Sequence, residues 1–419
     1  MTATDQSATA PPTRRYDVDA LRVLAFGLLI IYHVCMFYVA DWGWHVKSSH
    51  LSETLQLPMT LLNQWRMPLI FLVSGIALSF VVDKYSRGEL AKRRLWRLLI
   101  PLTFGMAVVV PPQAYYQALS NAVIEPGYGA FLLRYFTFQQ WPEGAFDGSD
   151  YGLTWNHLWY LPYLLAYTLT LIVILPLFRG LAAGLLDRFR GLRGLALITV
   201  PTLPLLIYGL TVFPVFGSVS HNFITDGYAH AMYFTIFVYG FIIGRDAGLW
   251  RELARMRWLT LGLGITTFVA LQVANAILPD DATSGQELLQ LVLIYLNRWV
   301  WLLLVLGWAH QWLNRPMRWL PYANRAVYPW YVLHQTITVV AGYHLAQMGL
   351  GPVLEPTLVL AVTFVGCYAG YEFLIRRVPF LQPLFGVAPS LPAPAAETTK
   401  RASDANHLRQ QAAAQEHGR

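Results

Sequence analysis

Long apolar runs separated by short polar or Pro/Gly-rich segments organise nearly the whole chain. A helix needs about 20 mostly apolar residues to cross roughly 30 Å of hydrocarbon. Ten runs approach that length, at about 20–40, 57–82, 95–115, 153–178, 194–214, 229–244, 258–278, 288–312, 323–348 and 356–375. They predict an all-α, polytopic membrane protein with about ten transmembrane helices in one domain over 16–385. The polar stretch 1–15 is expected to be a flexible N-terminus. No small-residue cleavage site follows the first run, so it reads as a retained signal anchor. Beyond Phe385 the chain turns Pro/Ala-rich and then polar, which predicts a disordered tail over 386–419.

Composition excludes the soluble alternatives. Of 419 residues, 56% are hydrophobic and 13% charged, against about 25% charged in soluble domains. That is too little charge for a cytosolic enzyme or a disordered regulator. Cys35 and Cys367, the two cysteines, lie in apolar runs, so neither a disulfide framework nor a cysteine metal site is available and no metal is expected. The net charge of +7 does not point to nucleic acid, because the basic residues fall between the apolar runs.

Their placement gives an orientation. Loops on the side of the N-terminus, from Lys84 to Arg318, hold sixteen Lys and Arg, whereas the opposite loops hold only Lys47 and Arg134. Positive residues stay inside, so both termini are expected in the cytoplasm, across a bacterial inner membrane. The opposite face collects acids, including Asp41, Glu125, Asp147, Asp280 and Asp281. Its longest segment, 116–152, is rich in Tyr and Trp and is expected to form an ordered lid.

Ionisable side chains inside a membrane need a reason. In the first run Arg22 and His33 are eleven residues apart, which brings them to one helix face roughly 16 Å apart. Asp19, three residues before Arg22, can pair with it. The plainer alternative is a snorkelling Arg22 and a core histidine at 33. Arg66, Arg298 and His334 lie at similar depth in other runs, with His157 and His230 near outer ends. Together they imply a water-accessible cavity, which suits catalysis but also a proton relay or substrate pathway. His221 and Asp226 form H-x4-D, a spacing in which a carboxylate can orient a histidine base. Ser74-Gly75 reads as a small-residue helix contact.

The first run, YDVDALRVLAFGLLIIYHV, with RMPLIFLVSG, HLWYLPYLL, PWYVLH and YEFLIRRVP in that order, resembles the acyltransferase-3 family of integral membrane O-acyltransferases. GWHVKS, NHLWYL and YEFLIRRVPFL look like its glucan biosynthesis protein C branch of succinyltransferases. The resemblance implies acyl-CoA as donor on the cytoplasmic side, a carbohydrate hydroxyl as acceptor on the outer side, and no bound cofactor. It implies His33 as the catalytic histidine and Arg22 as its basic partner; Asp19, through its pairing with Arg22, completes the catalytic candidates. Candidate substrate-binding residues are Arg66, Trp44, His45, His157, His334 and Glu372. Arg66 would suit a succinyl carboxylate or a developing oxyanion. The competing class is a transporter or flippase for an anionic or acylated substrate, which the lack of an internal repeat disfavours.

Overall fold

The computed structural model describes residues 14–180, 182–278 and 283–387. The expected flexible terminus and tail therefore lie outside the described residues, except for Arg14, Arg15 and 386–387, as do Asp280 and Asp281. The helices in chain order are α1 (Tyr16–Met36), α2 (Gln56–Ser79), α3 (Arg87–Phe104), α4 (Pro111–Ser120), α5 (Tyr128–Phe136), α6 (Tyr160–Arg179), α7 (Ala183–Arg190), α8 (Gly194–Thr211), α9 (Phe213–Phe216), α10 (Gly227–Gly244), α11 (Ala247–Ile277), α12 (Ser284–Leu313), α13 (Leu320–Ala346), α14 (Gly351–Ala369) and α15 (Leu381–Leu384).

Each of the ten apolar runs becomes a long helix or helix pair. Among the described residues, eight helices are long and apolar enough to cross a membrane, or nine if the bent α3–α4 unit counts as one span. The bend is 42°. It follows a π-helical turn at Gly105–Val109 and the Pro111-Pro112 start of α4, both common causes of sharp kinks. At 27 residues α13 is long, but it is too polar to pass as a span by composition. Its polar residues Asn324, His334 and Gln335 are used inside the protein.

Central to the bundle is α1, which packs on α2, α12, α13 and α14, while α11 pairs with α12 and α10 with α2. The α2–α10 contact is backbone on backbone. A Cβ on Gly75 would meet the Phe237 carbonyl, and one on Gly240 would meet that of Leu72. Small residues allow this approach where no hydrophobic effect drives helices together, and Gly75 fills the packing role expected of it. Ser74 instead bonds the Tyr160 hydroxyl at 2.5 Å.

The segment expected to form the lid begins inside α4, which carries the chain to Ser120, and the remainder packs on an apolar cluster of its own. Tyr115, Phe131, Tyr135, Trp141 and Phe146 form that cluster. At the other end of the bundle Asp17, fully buried, accepts hydrogen bonds from Arg15 at 2.6 Å and His310 at 2.8 Å. Arg15 also covers the Trp250 ring at 3.9 Å. These contacts clamp the start of α1 to α11 and α12, and fix the height of everything α1 carries.

Candidate functional site

Two histidines from distant parts of the chain meet in the bundle. His33 on α1 and His334 on α13 stack with centroids 5.0 Å apart and an interplanar angle of 12°. His33 Nδ1 lies 2.9 Å from His334 Nε2. The proton positions follow from the partners. His334 Nδ1 is 2.7 Å from the Tyr331 carbonyl, which can only accept, so Nδ1 carries the proton and Nε2 of the neutral ring is an acceptor. His33 Nδ1–H therefore donates to His334. That leaves His33 Nε2 with its lone pair and, among the described residues, no hydrogen-bond partner. His33 is half-buried and His334 fully buried. The result is a histidine with one nitrogen fixed and the other open.

A shell of hydrogen-bonded histidines and amides surrounds the pair. His157 donates from Nε2 to the Val332 carbonyl at 3.1 Å, and its Nδ1 accepts from Gln113 at 3.3 Å. Its ring meets that of His334 edge-on at 5.1 Å. Gln113 Oε1 takes hydrogen bonds from Asn156 and Gln335, both at 3.1 Å. Gln335 also donates to His45 Nε2 at 2.8 Å, and His45 Nδ1 donates to Gln117 at 2.7 Å. The 42° bend places α4 so that Gln113 and Gln117, one turn apart, face this shell. Trp44 lies over His33 with centroids 6.1 Å apart. Its loop is held down by Lys47, whose ammonium donates to the Met36 and Val39 carbonyls at the end of α1, where a cation is favoured.

Beside the histidines lies a region of positive charge. The Arg66 guanidinium sits 3.4 Å above the Tyr32 ring and is 8% exposed. Its Nε and Nη1 are buried with no hydrogen-bond partner. Arg298 donates to the Gln64 carbonyl at 3.0 Å and to Tyr228 at 3.3 Å. Tyr233 is within electrostatic reach of both arginines, and His33 is within reach of Arg66. No carboxylate among the described residues pairs with either arginine.

At the basic end of α1, Arg22 donates to Asn324 at 2.6 Å and pairs with Asp19 at 3.6 Å. Arg94 and Arg97 are within electrostatic reach of Arg22, and Tyr160 is within reach of Arg22 and Arg94. Arg22 and His33 thus lie toward opposite ends of α1.

Most of the expected residues converge: His33, His334, His157, His45, Trp44 and Arg66 share the chamber or its edge, and Asp19 holds Arg22 at the basic end. Glu372 does not join them. It lies at the far end of the α14 segment, paired with Arg376 at 2.6 Å and accepting from Tyr322 at 3.1 Å. There it borders a separate cavity of about 370 Å³ lined by Tyr322, Arg325, Tyr371 and Arg376. In H-x4-D the carboxylate does not meet the imidazole; Asp226 accepts from the backbone N–H groups of Ser220 and His221 and from Tyr163. Sequence reasoning missed Gln113, Gln117, Asn156 and Gln335. The one available signal was that Gln113 and Gln117 are spaced a helical turn apart in an apolar stretch.

The family profile described as an acyltransferase domain, Acyl_transf_3, matches residues 15–372. The chain belongs to the acyltransferase-3 family. It is a multi-pass membrane O-acyltransferase, which decides between the enzyme and transporter classes. Curated relatives include glucans biosynthesis protein C of Escherichia coli O157:H7 (strain EC4115 / EHEC) and of Escherichia coli (strain K12). Each is 23% identical over 402 residues, spanning 90% of this chain and 96% of the relative. No solved structure matches the chain. Both histidines of the acyltransferase's chamber, its cation region and Arg22 fall inside the matched range.

Proposed function

We propose that this acyltransferase moves a succinyl group, with acetyl as the alternative, from acyl-CoA to a hydroxyl of a periplasmic glucan or related envelope glycan. It works in a bacterial inner membrane with both termini in the cytoplasm. The observation that carries this reading is the open Nε2 of His33, fixed in that tautomer by His334. An alcohol needs a base to take its proton as attack begins, and a neutral imidazole suits that task.

His33 Nε2 takes the acceptor's proton while the oxygen attacks the thioester carbonyl. The C–S bond then breaks, the acyl group stays on the acceptor oxygen, and the imidazolium returns its proton to the leaving CoA thiolate. Arg22, Arg94 and Arg97 at the cytoplasmic mouth hold the donor's phosphates. Arg66, with two guanidinium nitrogens unpaired, receives the carboxylate of a succinyl donor. Trp44 and His45 close the chamber on the outer side.

The test uses purified protein in detergent with acyl-CoA and a gluco-oligosaccharide, read by product mass. The His33→Ala variant is expected to lose about 10²–10⁴-fold in transfer while remaining folded. Full activity of that variant, or no transfer from either donor by the wild type, rejects the reading.

A further inference from the structure

His221 lies between α9 and α10 with a backbone φ of 61°, a left-handed conformation that non-glycine residues adopt sparingly. Such strain persists only where surrounding contacts over-determine it, and it clusters at functional sites. Here the contacts are explicit. Asp226, 2% exposed, accepts the His221 N–H at 3.2 Å and the Ser220 N–H at 3.3 Å, and is itself anchored by the Tyr163 hydroxyl at 2.7 Å. The Trp155 indole donates to the His221 carbonyl at 3.1 Å. Asn222 ties the same loop to Tyr151 of the lid at 2.6 Å.

All this bonding fixes the backbone, while neither ring nitrogen of His221 has a hydrogen-bond partner among the described residues. The imidazole stacks on Trp159 at 4.2 Å and 24°. It is exposed to solvent and lies within electrostatic reach of Asp147, Arg66 and His45. Packing against Trp159 lowers its pKa, against the pull of Asp226 and Asp147. At neutral pH it is therefore an uncharged ring with one donor and one acceptor, the complement of a sugar hydroxyl.

Resting on the acyl-transfer reading above, we propose that His221, backed by Trp159, is an acceptor-positioning residue: it binds a hydroxyl of the incoming sugar and aims a neighbouring hydroxyl at His33. The backbone suggests the decisive variants. His221→Gly accepts the left-handed conformation without strain but removes the ring. His221→Asn tolerates it and restores a short polar group.

Binding of a gluco-oligosaccharide to the detergent-purified full chain is measured by tryptophan fluorescence, with hydrolysis and transfer of acyl-CoA followed in parallel. His221→Gly is expected to weaken oligosaccharide binding and raise its KM at least tenfold, with donor hydrolysis and melting temperature unchanged. His221→Asn should recover part of the affinity. Equal affinity in wild type and His221→Gly, no binding by the wild type, or a matching fall in donor hydrolysis overturns the proposal. Binding lost in His221→Gly by a protein that transfers no acyl group supports the subsite and rejects the acyl-transfer chemistry instead.

Discussion

In the chamber around His33, every ring and amide nitrogen of His45, Gln113, Gln117, His157, His334 and Gln335 has a partner, whereas neighbouring Arg66 keeps two guanidinium nitrogens buried and unpaired. Both regions are polar inside an apolar bundle, and an unpaired buried polar group is costly. A satisfied network holds its geometry whether or not a ligand is present. An unpaired buried cation is instead stabilised by whatever anion arrives. On the proposed function, the chamber is prearranged machinery for moving a proton, and the cation region is a socket completed by substrate.

The largest effect that separates the two comes from Arg66→Leu. If the socket waits for a carboxylate, this variant loses about 10²-fold in kcat/KM with succinyl-CoA, as expected for charge-assisted hydrogen bonds, and much less with acetyl-CoA. Its melting temperature in detergent stays level or rises, because no resident partner is orphaned and an apolar replacement of a buried charge is often neutral or stabilising. A clear drop in melting temperature, or equal losses with both donors, would break the contrast.

Next in size is His334→Gln. His334 is fully buried and acts through His33, whose Nδ1–H it accepts. Partners that orient metal-bound histidines are worth about 10–100-fold when removed, and a loss on that order is expected here. The loss is expected in kcat for both donors alike, with acceptor KM unchanged. A donor-selective loss would move His334 from the chamber to the socket.

The contrast also explains what the sequence made legible. Apolar runs are set by the need to satisfy the backbone inside lipid, so the ten long helical segments could be read directly, and α13 was found despite its polar residues. Arg22, His33, Arg66 and His334 stood out because charge is rare at those depths. Gln113, Gln117 and Gln335 did not, since neutral amides hardly disturb a hydropathy pattern and their partners lie up to 290 residues away. The bend that turns α4 toward the chamber depends on a π-helical turn, which the apolar run concealed. Glu372 looked equivalent to the other candidates in sequence, but it lies past the end of α14, beside Arg376 and Tyr322 near the start of α13.

Gln335→Leu gives the smallest and most diagnostic effect. Gln335 donates to both His45 and Gln113, and is 2% exposed. Removing its amide leaves the His45 Nε2 acceptor unpaired and strips one donor from Gln113, while His33 and His334 keep their bond. Orphaning a buried acceptor costs about 1–3 kcal/mol, so the variant should unfold earlier in a detergent thermal or denaturant titration. Its transfer rate, measured below that transition, should fall less than tenfold. This split is what the proposed function expects: stability is spread over many paired amides, whereas proton transfer is assigned to one histidine nitrogen that none of those amides touches. A large rate loss with unchanged stability would make Gln335 part of the chemistry and dissolve the distinction between scaffold and base.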